Sequence, residues 1–74
     1  MTKLEKALII GCLEYSYKDE IGVTFLSEEQ QDKVTSIIMK TYHELKAEDG
    51  EVKLFEDIKS VGLKLMAELE SEAE

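Results

Sequence analysis

Apolar residues recur at every third or fourth position along three stretches of this chain, and no proline interrupts any of them. The clearest stripe consists of Val34, Ile37, Ile38, Thr41, Tyr42 and Leu45. Residues at this spacing share one face of an α-helix, because a helical turn takes about 3.6 residues. The sequence therefore predicts an all-α protein, a small three-helix bundle with helices over residues 3–16, 28–47 and 53–70.

Helix-capping residues mark two of the predicted helix starts. Thr2 is followed three positions later by Glu5, and Ser27 is followed in the same way by Gln30. This spacing is typical of a capping box, in which each side chain accepts a hydrogen bond from the other residue's backbone N–H. Gly50 follows two acids in a turn-like segment and is predicted to end the second helix.

For two short segments the sequence does not decide between a loop and a strand. Residues 21–25 and 51–54 each alternate apolar and polar positions, which is typical of extended backbone. An isolated strand needs a partner, so the alternatives are plain loops or a two-strand contact between the interhelical loops. We expect residues 1–70 to form a single helical domain and residues 71–74 to be a frayed acidic tail, because carboxylates oppose the dipole at a helix C-terminus.

The predicted core follows the inner stripes of the three helices. It comprises Leu8, Cys12, Val34, Ile38, Tyr42, Leu45, Phe55, Ile58, Leu65 and Leu69. Gly62 falls on the same seam of the third helix, where glycine is about 1 kcal/mol less favourable than alanine. We therefore expect Gly62 to mark the close approach of another backbone.

The charged residues argue against nucleic-acid recognition. Seventeen carboxylates stand against nine lysines without a single arginine, for a net charge of −8. Arginine supplies the planar fork that grips phosphates and guanine edges, and a strongly negative chain repels polyanions. A small helix-turn-helix-like DNA or RNA binder is the alternative that three short helices leave open, but its basic stripe is missing because the lysines are interleaved with acids.

The sequence predicts neither an enzyme nor a metal or cofactor site. His43 is the only histidine and Cys12 the only cysteine, which are too few ligands for zinc and carry no motif of a Cys-His catalyst. A lone cysteine forms no internal disulfide, so we expect a reducing compartment, the cytoplasm. The longest apolar run, residues 7–13, is far shorter than the roughly 20 residues of a membrane span, and we expect no membrane association.

A limited resemblance to calcium-binding EF-hands lies around the second turn. The segment 26–30 resembles the opening of calmodulin-like helices, and Gly50, Val52 and Glu56 match the glycine, apolar and glutamate positions of a loop beginning at Leu45. The first and third positions of that loop must offer oxygen ligands, and here they are Leu45 and Ala47. The resemblance therefore implies, at most, a degenerate EF-hand-like structural domain that binds no calcium.

The function that the sequence favours is that of a small acidic protein-interaction module with a regulatory or inhibitory role. A row of carboxylates surrounds the second turn, and two interpretations are open: a solvating surface, or an imitation of a nucleic-acid backbone that binds a basic surface on another protein. The row consists of Glu44, Glu48, Asp49, Glu51, Glu56 and Asp57. Small inhibitors of this kind are typical of phages and mobile elements.

The first predicted helix is apolar nearly all round, which favours self-association. A helix of this kind in a thin bundle is sandwiched between its own core and a partner. The predicted homodimer or partner-binding surface comprises Ile9, Ile10, Leu13, Tyr15 and Tyr17, and tyrosine is enriched at such interfaces.

Overall fold

The protein consists of three helices joined by two short turns. The computed structural model describes residues 1–72 and contains α1 (Lys3–Ile21), α2 (Glu28–Tyr42) and α3 (Ala47–Ser71). The all-α class is confirmed. The two-strand alternative is wrong for the described residues, because 51–54 lie inside α3 and 21–25 leave α1 through unpaired bends. The last two residues of the predicted frayed tail lie outside the described range.

The first helix begins where its capping box predicts and runs further than expected. The Thr2 N–H donates to Glu5 Oε1 at 2.7 Å, and the Glu5 N–H donates to Thr2 Oγ1 at 3.1 Å. The predicted end at residue 16 is wrong, because residues 18–20 form an exposed polar face of the helix rather than a turn. Gly22 ends α1 in the left-handed conformation (φ 89°), and its N–H donates to the Lys18 carbonyl at 2.8 Å.

The second turn lies earlier than the sequence predicts. The Ser27 and Gln30 capping box is present, but α2 ends at Tyr42 rather than at residue 47, and α3 begins at Ala47 rather than at residue 53. Gly50 does not end α2: it is buried in the first turns of α3, where an added Cβ would lie 3.5 Å from the Tyr42 carbonyl oxygen. A Cβ at this distance would make an ordinary van der Waals contact, so Gly50 lies against the end of α2 without leaving it unusually close.

Helix α1 lies between the other two helices. On one side, a Cβ atom added at Gly11 would lie 3.5 Å from the side chain of Ile38 in α2. On the other side Leu8 lies with Val61 of α3, and both side chains are buried. Lys64 Nζ lies 2.9 Å from Glu5 Oε2, which places the C-terminal half of α3 beside the start of α1.

The predicted core is partly confirmed. Leu8 is buried, and five other predicted core residues are half-buried: Val34, Ile38, Tyr42, Ile58 and Leu65. Four predictions are wrong, because these side chains are exposed: Cys12, Leu45, Phe55 and Leu69. Helix α3 carries two apolar stripes and turns only one of them, Leu54, Ile58, Val61 and Leu65, toward the body of the protein.

The arrangement leaves an unusually large surface for the length of the chain. A compact monomer of this length is expected to expose about 4,600 Å². The accessible surface is 6166 Å², roughly 1,500 Å² above that expectation. The radius of gyration is 13.8 Å, against the roughly 11 Å expected for a compact domain of this length. Over residues 1–72, none of the helices has the combination of length and apolarity that crossing a bilayer requires.

Candidate interaction surfaces

The predicted acidic row lies at the corner between α2 and α3. Glu44 is in the turn, and the next four carboxylates project from the first half of α3: Glu48, Asp49, Glu51 and Glu56. All five side chains are exposed. We call these five residues the acidic corner. Glu48 and Asp49 also lie in the first turn of α3, where the helix dipole stabilises negative charge.

Asp57 belongs to the predicted row but has a different role in the structure. It is half-buried, and its two carboxylate oxygens accept hydrogen bonds from Tyr42 Oη at 2.6 Å and from Lys53 Nζ at 2.6 Å. The hydrogen bond from Lys53, followed by that from Tyr42, holds the pKa of Asp57 below its ordinary value. Burial, and then the hydrogen bond to Asp57, raises the pKa of Tyr42 to about 12. Asp57 therefore ties α3 to the end of α2.

Apolar side chains are exposed among the carboxylates of the acidic corner. Val52 is 58% exposed and Phe55 is 61% exposed, and Leu45 in the turn is also exposed. Next to them a groove of about 420 Å³ runs between the end of α2 and the start of α3, with Ile38, Met39 and Leu54 in its lining. The acidic corner thus combines negative charge with uncovered apolar surface, whereas the sequence placed Leu45 and Phe55 in the core.

Four of the five predicted self-association residues share one face of α1, at helical spacing: Ile9, Ile10, Leu13 and Tyr17. Ile9 and Leu13 line a groove between α1 and α3, next to the exposed Cys12. Ile10 lies about 60° around the helix from Leu13, at the edge of the groove between α1 and α2. Tyr15 and Tyr17 are exposed, and the ring of Tyr17 packs edge to face against Phe25 at a centroid distance of 5.2 Å. Ile10, Leu13 and Tyr17 therefore form one exposed stripe with Ile9 at its edge, whereas Tyr15 lies apart from it on the helix.

A basic surface that the sequence did not predict lies between α1 and α2. Two adjoining grooves are lined by four of the nine lysines: Lys3, Lys6, Lys33 and Lys40. Their floor consists of Leu4, Ala7, Ile10, Leu26, Val34 and Ile37. No carboxylate lines either groove, although the described chain carries acids on every helix. We call this surface the lysine groove.

The lysine groove escapes sequence reasoning because its lysines come from two helices and alternate with acids along each of them. A signal is nevertheless present: Lys3, Lys6 and Ile10 follow helical spacing, as do Lys33, Ile37 and Lys40. Neither stripe is long enough to predict a basic surface by itself. Only the packing of α1 on α2 joins the two stripes and leaves the intervening acids on other faces.

The candidate metal ligands remain apart in the structure. His43 and Cys12 are exposed on different elements, and residues 1–72 contain no group of three ligand side chains that would hold a metal ion. Gly50, Val52 and Glu56 lie within α3, so the segment that resembles an EF-hand loop is helical. Comparison with protein-family models, with curated proteins and with solved structures finds no match for this chain.

Proposed function

We propose that this protein is a small acidic interaction module that regulates or inhibits another protein by binding it through the acidic corner. One observation carries the proposal: the exposed side chains of Val52 and Phe55 lie on the same part of α3 as exposed Glu48, Glu51 and Glu56. Carboxylates alone are a common solvating surface. Exposed apolar residues with a charged rim are typical of a protein-binding surface.

The two kinds of residue contribute differently to such binding. Ion pairs at the exposed rim are each worth about 0.2–1 kcal/mol, and they mainly steer a basic partner toward the surface. Desolvation of Val52, Phe55 and the neighbouring groove supplies most of the affinity. The partner that fits is a protein whose basic surface carries apolar side chains, such as the nucleic-acid-binding face of an enzyme or regulator. By covering that face the module imitates a nucleic-acid backbone.

We also propose that the protein self-associates as a homodimer. The support is the surplus of exposed surface, roughly 1,500 Å² per chain over a compact monomer, which exceeds the roughly 800 Å² that each partner buries in a standard protein interface. Covering part of this surface in a second copy stabilises a chain too small to bury a large core of its own.

The proposed partner binding is tested with a photo-crosslinking residue at Val52, in the native host, and with a matched residue at Val23, which is exposed far from the acidic corner. We expect Val52 to crosslink one protein that Val23 does not. The binding of that purified protein is then measured with Glu48, Glu51 and Glu56 changed to lysine. The affinity should fall by at least about tenfold, because three attractive charges at the rim become repulsive toward a basic partner.

The control reverses the same number of charges elsewhere, at Asp19, Glu20 and Glu28, which are all exposed. Glu28 occupies the first turn of α2 as Glu48 occupies the first turn of α3, so the two variants change the net charge equally and each loses one favourable dipole interaction at a helix N-terminus. Equal weakening by both variants, or equal crosslinking from both sites, would rule out the acidic corner as the binding surface.

A further inference from the structure

The lysine groove has an uncompensated positive charge in a protein of net charge −8. Lys3, Lys6, Lys33 and Lys40 are all exposed, and the ion pairs of residues 1–72 involve other lysines, Lys53 and Lys64. The lysines stand on both rims, two from α1 and two from α2, with apolar residues between them. The groove therefore matches a helix that carries apolar residues on one face and carboxylates on both flanks of that face.

The end of α3 has this pattern. We call residues 66–71 the α3 arm. Every residue of the α3 arm is exposed, so little of the chain lies beside it. Its apolar side chains, Met66 and Leu69, are 50% and 61% exposed. Glu68 and Glu70 flank Leu69, about 100° to either side around the helix.

The α3 arm is also electrostatically unfavourable on its own. No basic residue lies in the last turn of α3, and Glu68 and Glu70 place negative charge at the end of the helix where the dipole is negative. Lysines of another molecule would offset the unfavourable interactions of Glu68 and Glu70 with the helix dipole. The same contact would cover Met66 and Leu69.

We propose that the α3 arm of a second copy of this chain docks in the lysine groove, and that two copies exchange arms reciprocally. Leu69 of each copy reaches the floor formed by Ile10 and Val34 of the other copy, while Glu68 and Glu70 meet the lysines on the two rims. The proposal rests on the proposed self-association and assigns the surfaces that carry it.

The arm of the same chain cannot fill the groove. No residue of α3 lines the groove, because Lys6 and Ile10 lie nearly opposite Leu8 on α1, and Leu8 is the residue that packs with α3. The salt bridge between Lys64 and Glu5 holds the arm on that other side. A second copy supplies the arm without breaking any contact within the chain, and it also uses part of the surplus exposed surface.

The experiment measures the dimer dissociation constant by sedimentation velocity for two charge-reversed variants. One carries Lys6→Glu and Lys33→Glu in the groove, and the other carries Glu68→Lys and Glu70→Lys in the arm. Each should raise the dissociation constant by at least about tenfold, because like charges then face each other at both contacts. An equal mixture of the two variants should restore the dimer as a mixed species, since every groove then faces an arm of opposite charge.

A matched control, Lys18→Glu with Lys46→Glu, changes the net charge equally outside the groove and should leave the dimer largely intact. A Leu69→Ser variant, with the helical circular dichroism checked, should dissociate the dimer without altering the charge. A monomer at all accessible concentrations would overturn both the self-association and the docking. A dimer that tolerates groove reversal, or a mixture that does not recover, would overturn the docking alone.

The same variants identify other occupants of the groove. A fluorescent DNA duplex that binds the unaltered protein at low salt but not the Lys6→Glu, Lys33→Glu variant, while the dimer persists, would assign the groove to nucleic acid and overturn the proposal. An anionic vesicle that shows this pattern would assign it to a membrane surface and would equally overturn it.

Discussion

Glu5 and Lys64 lie 59 positions apart in the sequence, and their side chains meet at 2.9 Å. The same Glu5 carboxylate accepts the backbone N–H of Thr2 at 2.7 Å through its other oxygen. One side chain therefore caps the start of α1 and fixes the register of α3 against it. The Thr2 N–H, and then Lys64, lower the pKa of Glu5 from 4.5 to about 2.

The lowered pKa of Glu5 predicts a loss of stability in acid. Because the folded-state pKa is below the unfolded value, the stabilisation is complete above pH 4.5 and disappears as the pH falls toward about 2. We expect the melting temperature to fall through this window, and to fall less in Glu5→Gln, which starts from a less stable protein at neutral pH. Circular-dichroism melts at a series of pH values provide the measurement. Identical pH dependence in both proteins would contradict the prediction, and Glu20→Gln serves as the exposed control.

Tyr42 should ionise at a higher pH than an ordinary tyrosine. Its pKa is raised from 10.0 to about 12, so the stability that its proton contributes is complete below pH 10 and is lost as the pH rises through 12. In an alkaline absorbance titration the late tyrosine signal should disappear in Tyr42→Phe and persist in Tyr15→Phe. Tyr42→Phe should also lower the free energy of unfolding by about 1 kcal/mol, because Asp57 loses one of its two donors. A late signal that survives in Tyr42→Phe would refute the assignment.

Two glycines should respond to alanine in opposite directions. An added Cβ at Gly62 meets nothing within 4 Å, so Gly62→Ala should stabilise the protein by up to about 1 kcal/mol through helix propensity. Gly22 has φ 89° in the left-handed region, so Gly22→Ala should destabilise by about 1 kcal/mol. Urea unfolding at low protein concentration separates the two effects from self-association. A destabilising Gly62→Ala would mean that another backbone approaches α3 at this position.

The capping box of α2 should contribute measurably to stability. Ser27 Oγ accepts the Gln30 N–H at 3.2 Å, and the Ser27 N–H donates to Gln30 Oε1 at 3.0 Å. Ser27→Ala removes the first bond and should lower the free energy of unfolding by about 1 kcal/mol. Ser60→Ala, at an exposed position within α3, should change it little or slightly raise it. Similar losses in both variants would show that the cap is not formed in solution.

Sequence reasoning succeeded where the determinants are local and failed where they depend on which faces meet. The two capping boxes involve residues three positions apart, and both are confirmed. Gly50 and Gly62 show the limit: the sequence predicted a helix end at the first and a close approach at the second. In the structure Gly50 is buried within α3, where an added Cβ would make ordinary contacts at 3.5 Å, and an added Cβ at Gly62 would meet open space. Sequence spacing assigns a glycine to a helix face, but only the packing of the helices decides what lies opposite it.

The candidate surfaces likewise differ in whether they depend on residues close in the sequence or on the packing of the helices. The acidic corner was predicted because its carboxylates cluster in the sequence, although Asp57 is committed to Tyr42 and Lys53. The lysine groove was not predicted, because four lysines from two helices become neighbours only after α1 and α2 pack. Phe55 and Leu69 were placed in the core because their spacing is helical, and spacing cannot tell which of two adjacent apolar stripes on α3 turns inward.

Because α1 lies between the other two helices, substitutions in α1 should affect the fold more than substitutions in α2 or α3. Contacts between α2 and α3 are few, and their side-chain hydrogen bond is that of Tyr42 with Asp57 near the turn, so α1 joins the two across most of the molecule. A substitution in α2 or α3 perturbs the packing of one helix pair. A substitution at Ala7 or Leu8 changes the helix against which both α2 and α3 pack. Tolerance to amino-acid replacement should therefore be lowest in the middle of α1 and should rise outward along both flanking helices.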